Sequence, residues 1–277
     1  MRTVREALRL KKTAGDVGVE IEVEGWSLPR ATPLWRREDD TSLRGESGEY
    51  VLDRPVPIGK LDEAFKELED AFTKSHAEVV PTYRAGVHVH VNVQELTTTQ
   101  LFNYIVLFLI LEETLVEFCD NTRQGNHFCL RAKDAGYLTK TIWDACEKGD
   151  MQFLNTENIR YSAMNLSSLF KYGSIEFRSL ESTRDFDKIK LWCNILYQLK
   201  EAAITYTDPI SVITDISLNG NEAFVKHTLK QYSPHITSKS DWMKKLKEGV
   251  RNAQDIAFSR IWNKISLDIF AKDEGEF

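Results

Sequence analysis

The sequence predicts an α+β fold, in which an antiparallel sheet carries helices on one face and a mainly helical region follows it. Three observations predict this layout. Short segments in the first two thirds of the chain alternate apolar and polar side chains, as half-buried strands do. Two longer segments carry apolar residues at helical spacing. From Phe186 onward the pattern is mainly helical, broken at Pro209 and Pro234.

The strand and helix patterns follow one another along the chain. Residues 17–23 alternate as a strand, a glycine-containing turn covers residues 44–48, and a second strand follows at residues 49–52. Leu61–Lys74 has the apolar spacing of an amphipathic helix, and residues 87–93 alternate again. Residues 97–118 form a long helix that is apolar nearly all round, which predicts burial across a sheet face.

The rest of the chain is organised less regularly. Residues 120–160 are polar and glycine-containing, which predicts a loop or lid region with short helices, and residues 173–178 form a further strand. We therefore expect a catalytic core at residues 1–185 and a helical extension of the same domain at residues 186–277.

The composition bounds the class of protein. The 277 residues are 42% hydrophobic and 28% charged, as in an ordinary globular protein, and the net charge of -6 gives no basic excess for a nucleic-acid partner. None of the four cysteines forms a C-x-x-C pair, so we expect free thiols in the cytoplasm. The most apolar run, residues 104–111, is shorter than the roughly 20 residues of a membrane span, and no membrane partner is expected.

The first polar row lies on the first strand, where Glu20, Glu22 and Glu24 share one face. Neighbouring carboxylates in the row are about 7 Å apart, and each such pair repels by about 2 kcal/mol at an effective dielectric near 20. Divalent cations, basic partners or protonation would relieve this repulsion. A solvated strand face is the alternative interpretation.

Three other segments place metal-competent groups in a similar way. His88, His90 and Asn92 share a strand face as candidate metal ligands or nucleotide contacts, or else as surface residues of an edge strand. Glu176 and Arg178 share another strand face. There the acid could hold a cation and the guanidinium could hold a phosphate, or the two could form an ordinary ion pair. Asp40 and Glu49 flank the glycine turn, although acid-rich hairpin loops are common.

Taken together, these groups point to a metal–nucleotide site. Several carboxylates with one imidazole suit a site that holds more than one Mg²⁺ or Mn²⁺ around a nucleotide.

The order of the motifs resembles that of the amidoligase family. The sequence has G-x-E-x-E, D-x-S, G-E-x-V, G-x-H-V-H-V and E-F-R in this order between about residues 17 and 192. These motifs comprise Gly18, Glu20, Glu22, Asp40, Ser42, Gly48, Glu49, Val51, Gly86, His88, His90, Glu176, Phe177 and Arg178. The resemblance implies the antiparallel sheet of glutamine synthetase and the glutamate–cysteine ligases.

The resemblance also implies roles for individual residues. Metal ligands would be Glu20, Glu22, Asp40, Glu49, His88 and Glu176. His90 and Asn92 would lie near the nucleotide, and Arg178 would hold the transferring phosphate. The cofactors would be ATP and Mg²⁺ or Mn²⁺, and the partners a carboxylate and an amine substrate, with a homo-oligomer also possible. A carboxylate would attack the γ-phosphate to form an acyl phosphate, which an amine would convert to an amide.

Two places depart from the family pattern or fit it loosely. The family often has a Gly-Thr pair shortly after E-F-R, where this chain has Ser182 and Thr183. Arg123 is a candidate catalytic residue that would bind the substrate carboxylate from a loop, with a solvated loop arginine as the alternative. Cys129 is not expected to be a nucleophile, because no partnering base is evident.

Three other functions are compatible with parts of the pattern. A guanidino kinase shares the broad fold and uses ATP. A metallohydrolase would use His88 and His90, although such sites usually recruit further histidines. A non-catalytic scaffold would keep the fold without turnover, against which the nearly complete set of acids argues.

Overall fold

The chain folds into an antiparallel sheet covered on one face by helices, so the predicted α+β class is confirmed. The structure, a computed structural model, describes residues 2–120, 123, 125–259 and 262. The strands of this described part are β1 (Val17–Trp26), β2 (Trp35–Glu38), β3 (Ser47–Leu52), β4 (Glu78–Val80), β5 (Gly86–Asn92), β6 (Met164–Asn165) and β7 (Ser174–Glu181). Their order across the sheet is β2-β3-β1-β5-β7-β6, and β4 pairs with the end of β1.

The helices lie before, between and after these strands. They are α1 (Val4–Ala7), α2 (Leu61–Lys74), α3 (Thr98–Phe118), α4 (Gly136–Lys148), α5 (Ser168–Tyr172), α6 (Phe186–Thr205), α7 (Pro209–Asn219), α8 (Asn221–Leu229), α9 (Pro234–Thr237) and α10 (Trp242–Ala257). The bounds of α2 are those predicted from its apolar spacing. The start of α3 is fixed by a capping box between Thr97 and Gln100.

Alternation along the central strands separates a core face from a polar face. Val19, Ile21 and Val23 of β1 are buried on the core face, together with the valines of β5. Aromatic contacts show where the helices pack: Phe72 of α2 lies 5.0 Å from Tyr50 of β3, and Phe108 of α3 lies 4.7 Å from Phe177 of β7. The polar face of the sheet is therefore left for the site.

Helix α3 is buried nearly all round because it has helices on more than one side. It packs against α6 and the sheet, and α10 crosses its outer surface. Its apolar composition thus reflects a central position in the core. In the described part of the chain, no helix combines the length and apolarity needed to cross a membrane.

The sequence patterns missed three short strands and the five-residue helix α5. β2 is largely polar, and β4 and β6 have three and two residues, which is too short for an alternation signal. Residues 120–160, expected to be a loop or lid region with short helices, contain the 13-residue helix α4, which buries Leu138, Ile142, Ala145 and Cys146. Residues 121, 122 and 124 of that range lie outside the described residues, as do residues 260–261 and 263–277 of the expected helical extension.

The contact between α10 and α3 generates a stability prediction. A Cβ added at Gly249 would lie 2.0 Å from the carbonyl oxygen of Ile110, so a side chain there forces the two backbones apart. We expect Gly249→Ala to lower the free energy of unfolding in urea by about 1–3 kcal/mol, despite the better helix propensity of alanine. Gly136→Ala, in α4, is the control, because a Cβ there meets nothing within 4 Å. An unchanged unfolding midpoint for Gly249→Ala would contradict this packing.

Candidate active site

The centre of the polar face is His88, which lies between two carboxylates. β1 and β5 pair so that Glu20 is directly opposite His88, and β5 and β7 pair so that His90 is opposite Glu176. His88 Nδ1 lies 3.3 Å from Glu20 Oε2 and 3.7 Å from Glu176 Oε1. One ligand atom from each of Glu20, His88 and Glu176 lies within 4.8 Å of the other two, so this triad can hold a metal ion.

A third carboxylate faces the other ring nitrogen of His88. Glu22 Oε1 lies 3.7 Å from His88 Nε2, while its Oε2 accepts a hydrogen bond of 2.9 Å from the amide of Gly86. The hydroxyl of Ser182 donates to the backbone carbonyl of Glu22 at 2.7 Å. Ser182, at the position where the sequence pattern led us to expect a glycine, therefore anchors the strand that carries the acids.

Glu176 is held from both sides. Arg178 forms a buried ion pair with its Oε1, and Asn165 of β6 donates to its Oε2 at 2.7 Å. Burial raises the pKa of Glu176, but the charges of His90, Arg178 and His88 outweigh burial and lower the pKa below its ordinary value. Asn165 was missed from the sequence because its strand has two residues and carries no pattern.

His90 belongs to the same charge network but lies to one side of the triad. Its Nε2 is 3.4 Å from Glu20 Oε1, its Nδ1 is 3.2 Å from Ser174 Oγ, and its ring meets Tyr172 edge-on. Burial raises the pKa of Glu20, but the hydrogen bonds of His88 and His90 lower it well below its usual range. Glu20 is therefore an ionised carboxylate between two imidazoles.

Glu49 marks an excess of negative charge beside this network. It lies on β3 directly opposite Glu22. Burial, followed by the charges of Glu20, Glu22, Asp40 and Glu38, raises the pKa of Glu49 to about 7. A cation bound at this side of the sheet would relieve the repulsion that raises this pKa.

Two clefts meet at Glu20, the one residue that lines both of them in the described part of the chain. The first cleft combines apolar and polar walls, including Gly18, Val51, Pro55, His90, Asn92 and Tyr172. The second cleft is strongly charged and is lined by Glu22, Asp40, Glu49, Arg84, His88, Arg123, Arg160 and Arg178, among others.

The structure brings most of the predicted residues to these clefts. Asp40 lines the second cleft, and its side chain also accepts a hydrogen bond of 2.7 Å from the amide of Ser42. Asn92 lines the first cleft while its amide donates to the carbonyls of Thr13 and Gly15. Glu24, which was not assigned a role, lies outside both cleft linings and accepts a hydrogen bond from the amide of Arg44.

Arg123 lines the second cleft, and Cys129 Sγ lies 3.5 Å from the backbone carbonyl oxygen of Arg123. Arg123 is only 1% exposed, so the alternative of a solvated loop arginine is wrong. Its guanidinium donates to the carbonyls of Ala85 and Arg178, which joins the start of β5 to β7. Burial raises the pKa of Cys129. Carboxylate binding by Arg123 stays a prediction.

Sequence comparison identifies the family. A model of the family described as "Putative amidoligase enzyme" matches residues 54–200. This chain belongs to the amidoligase family. The match contains the site residues of β5 and β7, and family membership indicates an enzyme of the ligase class. A search of curated proteins finds no significant match.

The raised pKa of Glu49 predicts how stability depends on pH in this family member. In EDTA, folding keeps Glu49 protonated between its ordinary pKa of 4.5 and about 7, whereas the unfolded chain ionises. The contribution of Glu49 to the stability of the folded state is therefore fully present below pH 4.5 and is lost as the pH rises to about 7.

Urea unfolding across this pH range checks the prediction. We expect the free energy of unfolding of Glu49→Gln to fall less steeply with rising pH than that of the wild type. Glu24→Gln, which removes a carboxylate from the same face of the sheet, should keep the wild-type slope. Identical slopes for the wild type and Glu49→Gln would show that burial and the neighbouring acids do not raise the pKa of Glu49.

Proposed function

We propose that the protein is an ATP-dependent carboxylate–amine ligase that acts through an acyl phosphate in the cytoplasm. The observation that carries this proposal is the triad of Glu20, His88 and Glu176, with Arg178 beside it, at the junction of two clefts. A site with this layout can present a phosphate chain from one cleft to a substrate in the other.

The donor set fits a hard divalent cation. Mg²⁺ and Mn²⁺ prefer oxygen ligands, and the site offers several carboxylates and one imidazole. Glu20, His88 and Glu176 would hold one ion, with Glu22 and Glu49 available for another. The elevated pKa of Glu49, raised first by burial and then by the charges of the neighbouring acids, supports this assignment. When bound, the cation would neutralise negative charge on the phosphates.

The two clefts differ in the ligands that they suit. The first cleft offers apolar contacts from Val51 and Pro55 and the ring of Tyr172, which suit a nucleoside. The second cleft has the charged walls that suit a carboxylate and an amine. Because Glu20 lines both, the γ-phosphate would lie at this junction, within the reach of Arg178.

The reaction would take place in two steps. A carboxylate oxygen of the substrate attacks the γ-phosphorus, the bond from phosphorus to the bridging oxygen breaks, and ADP leaves. The nitrogen of the amine then attacks the acyl carbon, phosphate leaves with the electrons of the C–O bond, and the nitrogen releases a proton. Arg178, held by Glu176, would stabilise the charge of the transferring phosphoryl group.

The metallohydrolase alternative is less well supported by the geometry. It requires His88 and His90 to share a metal, but the described residues contain one group of three or more ligating side chains, and His90 is outside it. His90 is instead placed by Ser174 and Tyr172 at the first cleft.

Nucleotide binding provides the direct test of this proposal. We expect a non-hydrolysable ATP analogue to bind in calorimetry with Mg²⁺ and to lose most of its affinity in EDTA. Glu20→Gln and Glu176→Gln should each weaken Mg²⁺-dependent binding by about tenfold or more, because each removes a charged ligand.

The control for these variants is Glu24→Gln. It removes the same charge from the same strand as Glu20 but outside both cleft linings, so its affinity should match that of the wild type. Full affinity in EDTA, or no binding to the wild type, would rule out the ligase.

A further inference from the structure

Among the described residues, three arginines at the second cleft have no acidic partner. Arg84, Arg123 and Arg160 all line this cleft, and we find no carboxylate oxygen within 4.0 Å of their side chains among the residues that the structure describes. Arg178, by contrast, is neutralised by Glu176. The second cleft therefore holds positive charge that the mechanism above does not use.

Arg84 and Arg160 enter the cleft from different loops. Arg84 lies between β4 and β5, where it donates to the carbonyl of Ser42 at 3.3 Å and lies over the ring of Tyr83. Arg160 follows a short helical turn and lies against the ring of Tyr161, which packs edge-on against Phe128. A backbone carbonyl and aromatic rings thus hold the two guanidinium groups, and within the part of the chain that the structure describes most of their N–H donors have no acceptor.

Arg123 adds a buried donor to the same cleft. Two of its nitrogens donate to backbone carbonyls, but its Nε is buried and has no hydrogen-bond partner within the described part of the chain. A buried N–H group without an acceptor is unfavourable, and such groups are rare in folded proteins. An anionic ligand that reached this nitrogen from the second cleft, which Arg123 lines, would provide the missing acceptor.

We propose that the carboxylate donor is a dicarboxylate, whose second carboxylate is bound by Arg84 and Arg160 and contacts Arg123. This inference rests on the proposed function, because the first carboxylate is the one that reacts beside Arg178. The planar fork of a guanidinium matches a carboxylate with two parallel hydrogen bonds.

The charge of the cleft favours a carboxylate over a phosphate as the second group. Asp39, Asp40 and Glu49 line the same cleft as the three arginines. A phosphomonoester carries about −1.5 to −2 charges at neutral pH, against −1 for a carboxylate. The additional negative charge would increase repulsion from these acids.

Matched acids and amides test the dicarboxylate. Calorimetry with the ATP analogue and Mg²⁺ present would compare L-glutamate with L-glutamine, L-aspartate with L-asparagine, and glutarate with its monoamide. In at least one pair we expect the diacid to bind about tenfold or more tightly than the amide. In the double variant Arg84→Gln/Arg160→Gln this ratio should fall below about threefold, while affinity for the ATP analogue is unchanged.

Arg30→Gln is the control, because Arg30 is exposed and lies outside both cleft linings, and it should keep the wild-type ratio. No preference for a diacid in any pair, or a preference that survives in the double variant, would overturn the inference. Tighter binding of O-phospho-L-serine than of every diacid would show that the second anionic group of the substrate is a phosphate and not a carboxylate. No binding of the ATP analogue to the wild type would instead refute the proposed function. Failure of the dicarboxylate inference and failure of the proposed function are therefore distinguishable.

Discussion

The antiparallel pairing of β1 with β5 is the constraint on which the site depends. It places Glu20 directly opposite His88 and, through the next pairing, brings Glu176 to the same imidazole. The same period of two that lines up these polar groups sends Val19, Ile21 and the valines of β5 into the core. A slip of one residue in this register would exchange the two faces, so burial of the valines also fixes the position of the acids.

The carboxylates tolerate one another because the fold surrounds them with donors. Glu20 has two imidazoles, Glu22 has the amide of Gly86, and Glu176 has Arg178 and Asn165. Glu49 has no comparable partner among the described residues, and burial together with the neighbouring acids raises its pKa. On the polar face of the sheet, the acids near β7 are thus neutralised by partners, whereas the side near β3 has an excess of negative charge.

The sequence predicted the faces of the central strands but not which strands are neighbours. Alternation identified Glu20, His88 and Glu176 as polar residues on three strands, and the order of the motifs supplied the family. Distances between these residues depend on long-range pairing, which no local pattern specifies. β6, with Asn165, is too short for a pattern, and Arg84 and Arg160 lie in loops, where no periodicity marks a side chain that faces a cleft. Short helices were expected within residues 120–160, but the bounds of α4 were not predicted, because polar residues and glycines around it outweighed four buried positions.

The position of Glu20 in the walls of both clefts has a thermodynamic consequence. A ligand that enters either cleft changes the electric field and the solvent around the same carboxylate, so the ligands of the two clefts share one interaction site. Their binding free energies are then linked, and the linkage is reciprocal. If a ligand in the first cleft changes the affinity of the second cleft by some factor, a ligand in the second cleft changes the affinity of the first by the same factor. Cooperativity between two different ligands would thus follow from a single shared side chain, with no movement of the sheet.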